Sequence, residues 1–332
     1  MAGADPPLQG AGLIGAQAPQ SQSRAAGARI ARAAVYGAPP QDLAPSPPGA
    51  VQVSPLIPGA ASLEAAPDAS LDLAAIAAPA GTLERRYVLA QALRALAAGG
   101  VLEAAAPKAK GGGRLRGELE AFGCEVAETY GGGQRACRVT RPEQLQGVAA
   151  AIEAGGPQRP PALGLWSQPG VFSWDRLDPG TALLLEHVAD LAGSGADFGC
   201  GVGPLALRLV EGARASRLLL IDVDARAIAA ARRNIDDARA SFLQADLGAG
   251  EVPGLERLDF VVMNPPFHAG GAEDRGIGGR FVERAAAALR PGGVCRLVAN
   301  VALPYERALG TRFTRVAQVA RRDGYKVLEA VR

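Results

Sequence analysis

From about residue 162 onward, short unbroken apolar runs alternate with stretches whose apolar residues recur at helical spacing. The runs Leu218 to Asp222, Leu258 to Met263 and Val294 to Ala299 are too continuous for strands with one wet face. They predict strands buried on both faces, and a short strand ending at Ala196-Asp197 joins them. Between them the spacing predicts helices over Leu183 to Leu191, Leu205 to Val210, Ala225 to Asn234 and Phe281 to Leu289. The last is closed by Pro291-Gly292-Gly293. Repeated βαβ units of this kind form a mainly parallel, doubly wound α/β sheet that binds ligands at the carboxyl ends of its strands.

The first half carries a fainter version of the same rhythm. Leu71 to Ile76 reads as a strand, Glu84 to Ala97 as a helix stopped by Gly99-Gly100, and Val101 to Ala105 as a strand. Gly111-Gly112-Gly113 breaks the chain before a helix over Arg114 to Phe122. Leu71 to Ala80 (LDLAAIAAPA) aligns without gaps on Leu258 to Phe267 (LDFVVMNPPF), and each is followed by a helix and a Gly-Gly-Val turn. The second copy is six residues longer between motif and turn; Ala77 stands for Asn264 and Ala80 for Phe267. A duplicated sheet domain is expected, its first copy stripped of chemical residues. The expected division is a disordered tail over 1–48, with a short helix within Arg29 to Tyr36, a degenerate copy over 49–158 and a catalytic domain over 159–332. A linker at Gln158 to Pro161 separates the last two.

Composition narrows the partners. With 48% hydrophobic residues the chain can bury a sizeable core, and a net charge of +2 gives no global attraction to nucleic acid, so any basic surface must be local. Four cysteines at 124, 137, 200 and 295 have no CxxC spacing, so no metal is expected. The opening residues lack a basic segment followed by an apolar one, and no uninterrupted apolar run approaches the ~18 residues of a membrane span. A cytoplasmic monomer without a membrane partner is the expectation.

Asp197-Phe198-Gly199-Cys200-Gly201-Val202-Gly203 lies between a strand and a helix. Glycines let backbone turn sharply and approach a ligand closely. A dinucleotide fingerprint needs glycine where Pro204 stands, which argues against NAD. The leading acid suits a ligand with an ammonium group, such as the methionine end of S-adenosylmethionine, better than a pyrophosphate. Asp222 ends the next strand, where a carboxylate can accept from both ribose hydroxyls, and Asp246 after the third could accept from the adenine amine. Each acid alone is as readily a cap or turn residue; three at successive strand ends beside the Gly loop make a cofactor site of Asp197, Gly199, Gly201, Gly203, Asp222 and Asp246.

Asn264-Pro265-Pro266-Phe267 follows the fourth strand, and the two prolines stiffen the loop. An aromatic amine has a delocalised, weakly nucleophilic lone pair. The Asn264 side-chain oxygen and the Pro265 carbonyl can accept its two protons and favour a pyramidal nitrogen, which is catalysis by positioning and electrostatics. Phe267 offers a stacking face worth ~1–3 kcal/mol for a base.

Together with Asp222, Asp246 and the Gly loop, this motif resembles the class I methyltransferase small-domain group. Within that group, Asn264 to His268, Gly170-Val171-Phe172-Ser173 with Leu177 to Thr181, and Val298-Ala299-Asn300 with Leu303-Pro304-Tyr305 resemble bacterial ribosomal RNA guanine-N2 methyltransferases. The resemblance implies a Rossmann-like methyltransferase domain preceded by a degenerate copy, S-adenosylmethionine as cofactor and ribosomal RNA or a ribosomal subunit as partner. It places Phe172, Asp178 and His268 beside the substrate. In size the first copy is short for that family. A release-factor glutamine methyltransferase poses the same amide problem, but that family usually has Tyr in the fourth place and a helical N-terminal domain. DNA adenine methylation and an inactive RNA-binding assembly factor are further alternatives.

Other residues carry weaker signals. His187 is expected to be structural and Cys200 to be packing. Lys108, Lys110, Arg114, Arg116, Arg135, Arg138 and Arg141 form a basic cluster suited to phosphates or, with interspersed Glu, to a solvated face. The Gly-rich segment Glu273 to Gly279 is expected to be a lid.

Overall fold

The computed structural model describes residues 32–332 except 213, 251, 267, 270, 271 and 274, and it leaves out the side chains of 268, 269, 272, 273 and 275. Positions 1–31 of the expected tail lie outside the described residues, as does Phe267.

Two main sheets form among the described residues. The first contains β1 (Ala33–Tyr36), β2 (Val51–Gln52), β3 (Leu71–Ala77), β4 (Leu96–Pro107), β5 (Val126–Gly131) and β6 (Gln134–Thr140), in the order β2-β1-β3-β4-β6-β5. Helices α1 (Thr82–Ala95), α2 (Leu115–Glu120) and α3 (Val148–Gly155) accompany it. The second contains β7 (Gly193–Phe198), β8 (Ala215–Asp222), β9 (Ala240–Gln244) and β10 (Leu258–Met263). A two-stranded ribbon of β11 (His268–Ala269) and β12 (Ala272–Glu273) follows, then β13 (Leu289–Asn300), β14 (Arg315–Arg322) and β15 (Tyr325–Val331). The second sheet runs β14-β15-β13-β10-β7-β8-β9. Its helices are α4 (Pro179–Leu185), α5 (Pro204–Glu211), α6 (Ala225–Asn234), α7 (Arg275–Ala288) and α8 (Tyr305–Gly310).

Without β9, the two sheets match strand for strand, with three parallel pairings followed by two antiparallel ones. The β3–β4 and β10–β13 ladders even share a register shift, at Leu71/Leu73 and Leu258/Phe260. The first domain is a degenerate copy of the second. In β10, Val261 and Met263 pack into one core and Phe260 and Val262 into another on the opposite face, which is why the run is apolar throughout.

The structure corrects the boundary at 48. Ala33–Tyr36 is neither tail nor helix but a buried strand between β2 and β3, fully part of the first sheet. Four consecutive apolar residues, Ala33-Ala34-Val35-Tyr36, give no period, and only pairing on both edges reveals the strand. The first copy therefore includes residues 33–36, and its shortness lies mainly between β2 and β3, where 53–70 stand in place of 223–257 with α6 and β9. Between β1 and β2 the lengths are similar, but where the second copy has the Gly loop and α5 the first has a segment with Pro39, Pro40, Pro45, Pro47 and Pro48, which cannot continue a helix.

Two further corrections follow from local chemistry. Asp178 caps α4 by accepting from Thr181 N at 2.8 Å, and Pro179 stands in the first turn, so that helix starts earlier and ends at Leu185. His187 lies in the turn beyond it and offers its carbonyl to Arg296. The segment expected as a lid is mostly helix, because α7 begins at Arg275.

In the first copy Arg85 is fully buried. It grips Glu118 with Nε and Nη2, each at 2.7 Å, and donates Nη1 to the carbonyls of Pro79 (3.1 Å) and Ala80 (2.8 Å), the loop that corresponds to Pro266-Phe267. A Cβ on Gly111 would collide with its guanidinium. An arginine thus fills this loop of the first copy from within. Arg85→Ala should lower the stability of the protein in urea unfolding by about 3–5 kcal/mol, because it leaves Glu118 as an unpaired charge in the interior. Arg116→Ala, which removes an exposed pair with Glu120, should leave the urea midpoint nearly unchanged.

Candidate active site

A cleft opens at the carboxyl ends of β7 and β10. Phe172, Asp178, Thr181, Gly199, Gly201 and Asn264 line it, so the structure brings the Gly loop, the arm before α4 and the motif asparagine to one place. β7 and β10 are neighbours in the sheet, with Phe198 paired to Met263, and both chain ends therefore emerge side by side.

Asn264 is held by two acceptors. Its Nδ2 donates to Asp178 Oδ2 and to Thr181 Oγ1, each at 2.9 Å. Both donor hydrogens of the amide are thereby used, and Oδ1 is left as the atom that can accept from a ligand. Asp178 accepts the Thr181 backbone N–H through the same Oδ2, so a single carboxylate both caps α4 and orients the Asn264 amide. Thr181 is buried, and only Asp178 of this pair was among the expected site residues. The run Asp178-Pro179-Gly180-Thr181 signals a helix start; its contact with a side chain 83 residues away has no sequence signal.

The loop backbone needs its glycines. Gly199, Gly201 and Gly203 have φ of +72°, +52° and +89°. A Cβ on Gly201 would meet nothing within 4 Å, so the space above it is open to a ligand, whereas one on Gly203 would lie 2.8 Å from Ile235 Cδ1. Gly201 faces the ligand space and Gly203 serves close packing. Asn234 braces the loop, donating to Val202 O at 2.9 Å and to Trp166 O at 3.0 Å.

The three acids differ. Asp197 is completely buried at the root of the loop, and neither carboxylate oxygen has a hydrogen-bond partner of good geometry among the described residues. Burial, with the nearby Asp222 charge, pushes its carboxyl up to about 8, against a smaller opposing effect of the Ala206 backbone N–H. Asp222 accepts from Gly201 N at 2.8 Å and from Asp224 N at 2.9 Å. Burial raises it to about 6 in spite of those donors. Asp246 is exposed, lies two residues beyond the end of β9, and accepts from Gly248 N at 2.7 Å as a turn residue. None of the three acids is on the cleft wall; Asp197 and Asp222 lie behind the Gly loop that forms it.

Phe172 stands on the lip, 62% exposed. The backbone of His268 belongs to β11, while its side chain lies outside the described residues. Cys200 is buried, and burial raises its thiol well above the ordinary range, which disfavours a thiolate nucleophile. The basic cluster of the first copy is largely spoken for. Arg116, Arg135 and Arg138 pair with Glu120, Glu128 and Glu103, and Arg141 donates to the Leu93 and Pro142 carbonyls. Among the described residues no helix is long and apolar enough to cross a membrane, and no group of side chains could hold a metal ion.

Residues 162–329 match the methyltransferase small domain family. The ribosomal RNA small subunit methyltransferase C of Stutzerimonas stutzeri is 42% identical over 175 residues, which is 50% of each chain. The chain thus spans about half the length of this relative and of several like it. The protein of the same description from Pseudomonas putida is 32% identical over 277 residues, covering 80% of this chain and 81% of its own. A solved T. thermophilus 16S rRNA N2 guanine methyltransferase, in complex with AdoMet and guanosine, superposes with a TM-score of 0.72 at 26% identity. The superposition covers 91% of this chain and 88% of that one.

The Asp197 carboxyl makes stability depend on pH. Its folded value of about 8 lies above the ordinary 3.8, so between these the folded protein keeps a proton that the unfolded chain has released. Stability from this group is present below 3.8 and is lost as pH rises toward 8. In thermal unfolding without ligand, the midpoint of Asp197→Asn minus that of the wild type should grow steadily across that window. A flat difference would mean that Asp197 ionises normally.

Proposed function

The chain belongs to the methyltransferase small domain family and to the group of ribosomal RNA small subunit methyltransferase C proteins, and from that premise we propose that it methylates guanine N2 in small-subunit ribosomal RNA. The donor in this reading is S-adenosylmethionine, and the work is done in the cytoplasm. The observation that carries the chemistry is the orientation of Asn264, whose Nδ2 is consumed by Asp178 and Thr181.

The residues present fit the donor. Gly201 leaves open space beside backbone that a ligand can approach, and the buried Asp197 carboxyl, whose oxygens have no hydrogen-bond partner of good geometry among the described residues, would be drawn to its ionised form by a nearby ammonium group. Asp222 retains lone pairs for ribose hydroxyls after accepting its two backbone N–H groups. Asp246 is the weakest member of the set because it stands exposed in a turn. Bound S-adenosylmethionine would supply an electrophilic methyl group at the mouth of this loop.

The remaining work falls to the chain. Asn264 Oδ1 accepts one N–H of the guanine amine and the Pro265 carbonyl accepts the other. Two acceptors on one nitrogen draw its lone pair out of conjugation and hold it in line for transfer. Asp178 and Thr181 keep the amide from rotating, so its acceptor orientation is set before the substrate arrives. Phe172 on the lip, and Phe267 as the last residue of the motif, are the side chains we assign to the planar faces of the base. An unpaired or flipped guanine is required, because N2 is inaccessible within a stacked helix.

The test is transfer of labelled methyl to naked rRNA, small subunits, large subunits, release factors and DNA, with mass mapping of the product. Label on guanine N2 of small-subunit RNA is expected; label on a release-factor glutamine with none on RNA overturns the reading. Asn264→Ala should lower transfer by at least about a hundredfold while S-adenosylmethionine binding in calorimetry stays close to wild type. Asp222→Ala should weaken that binding instead.

A further inference from the structure

The degenerate copy touches the catalytic copy through a buried charge. Glu84, on α1 of the first copy, accepts from Arg226 Nη1 on α6 of the second at 2.7 Å, with side-chain exposures of 14% and 8%. Arg226 Nη2 and Nε also hold Asp224, at 2.8 and 3.0 Å, and Nη1 lies 3.5 Å from the Pro169 carbonyl. The arm that leads to the cleft passes directly over this pair. Gly170 has φ +104°, and a Cβ there would collide with both the Arg226 guanidinium and the Glu84 carboxylate.

Both routes from Arg226 lead to the proposed cofactor residues. Along the arm, Val171 is buried against Val202 of the Gly loop, and Phe172 and Ser173 line the cleft. Along α6, Asp224 caps the helix and its backbone N–H donates to Asp222 Oδ1 at 2.9 Å. A second contact reinforces the junction, since Pro55 O of the first copy accepts from Ala225 N and from Gln244 Nε2, each at 2.9 Å.

We infer that Glu84 is a positioning residue for the cofactor pocket: through Arg226 it fixes the Pro169–Phe172 wall and the Asp222 end of the site. The inference rests on the reading of this cleft as an S-adenosylmethionine site. The degenerate copy thereby takes part in binding without touching the ligand. Loss of the Glu84 charge leaves Arg226 short of one partner, and its guanidinium then shifts toward Asp224 and away from the arm.

The test is calorimetric S-adenosylmethionine binding to the full chain, well below the thermal midpoint measured in parallel. Glu84→Gln is expected to raise Kd on the order of tenfold with the variant still folded. Gly170→Ala, which disturbs the same contact from the arm side and leaves the ion pair's own residues in place, should raise Kd similarly. The double variant should lose less than the product of the two single losses, because both act through one contact; general destabilisation would give no such saving. Wild-type affinity in both folded single variants overturns the inference while leaving the cofactor reading intact. If Glu84→Gln does not fold, Gly170→Ala decides alone. A wild-type protein that binds no S-adenosylmethionine overturns the cofactor reading itself, and this inference with it.

Discussion

Arg226 carries a charge that is almost wholly removed from water, and three groups from different parts of the chain answer it: Asp224 on its own helix, Glu84 on the other copy and the Pro169 carbonyl on the arm. A buried cation with one partner removed is costly, on the order of 3–5 kcal/mol for pairs of this kind. The three segments are therefore constrained to meet at one place. That constraint sets how the copies dock, where the arm crosses between them and where the arm must deliver Val171, Phe172 and Asp178. The Tyr36 hydroxyl, held above its usual range mainly by burial, belongs to the same neighbourhood. Gly170 is the only residue type that fits over the pair, so the sequence records the junction in a glycine as well as in the charges.

The register of the ladders tells what the first copy has lost. Tyr36 pairs with Ile76 as Phe198 pairs with Met263, and Gly37 and Gly199 follow with nearly equal φ of +70° and +72°. Val35 thus stands where Asp197 stands. Val35 pairs with Gln52 as Asp197 pairs with Leu220, which puts Ser54 at the place of Asp222. With Ala77 at the place of Asn264, all three chemical positions are gone while strand order and turn geometry survive. Sheet pairing depends on backbone and on apolar volume, which tolerate such replacements. Ligand recognition depends on individual polar atoms, which do not. The emptied loop is not left bare: Arg85 satisfies its carbonyls from within.

Sequence reading worked where periodicity and burial coincide. Leu258–Met263 and Ala225–Asn234 emerge with the expected bounds because one is buried on both faces and the other is amphipathic with a capping Asp224. The Gly loop and Asn264 were legible because unusual backbone and stiff prolines need particular residue types. Polar edge strands were not. In β14 most residues are exposed and arginine-rich, and its strand character comes from pairing with β15. Ala33–Tyr36 is buried and internal to its sheet, and was missed because a four-residue apolar run in an alanine- and proline-rich context carries no period. Asp246 is the case in which place near a strand end is least informative: its carboxylate accepts from Gly248 N in a turn, a role that any strand-end acid can take.

In the proposed mechanism the chemistry turns on Asn264, yet its side chain alone does not define an acceptor. An amide free to rotate presents NH2 or oxygen with little preference, and a catalytic hydrogen bond made by the wrong end would repel the incoming amine protons. The preference comes from Asp178 and Thr181, both belonging to the start of a helix that the motif does not include. The carboxylate that nucleates α4 is therefore also the group that makes Asn264 an acceptor. This coupling serves any planar amine equally, guanine, adenine or glutamine amide, because it acts on the nitrogen's protons alone. Discrimination among them must then come from groups that meet the rest of the substrate, and Phe172 on the exposed lip presents a large unsatisfied apolar face there. An extended peptide amide would leave that face in water, whereas a purine ring would cover it.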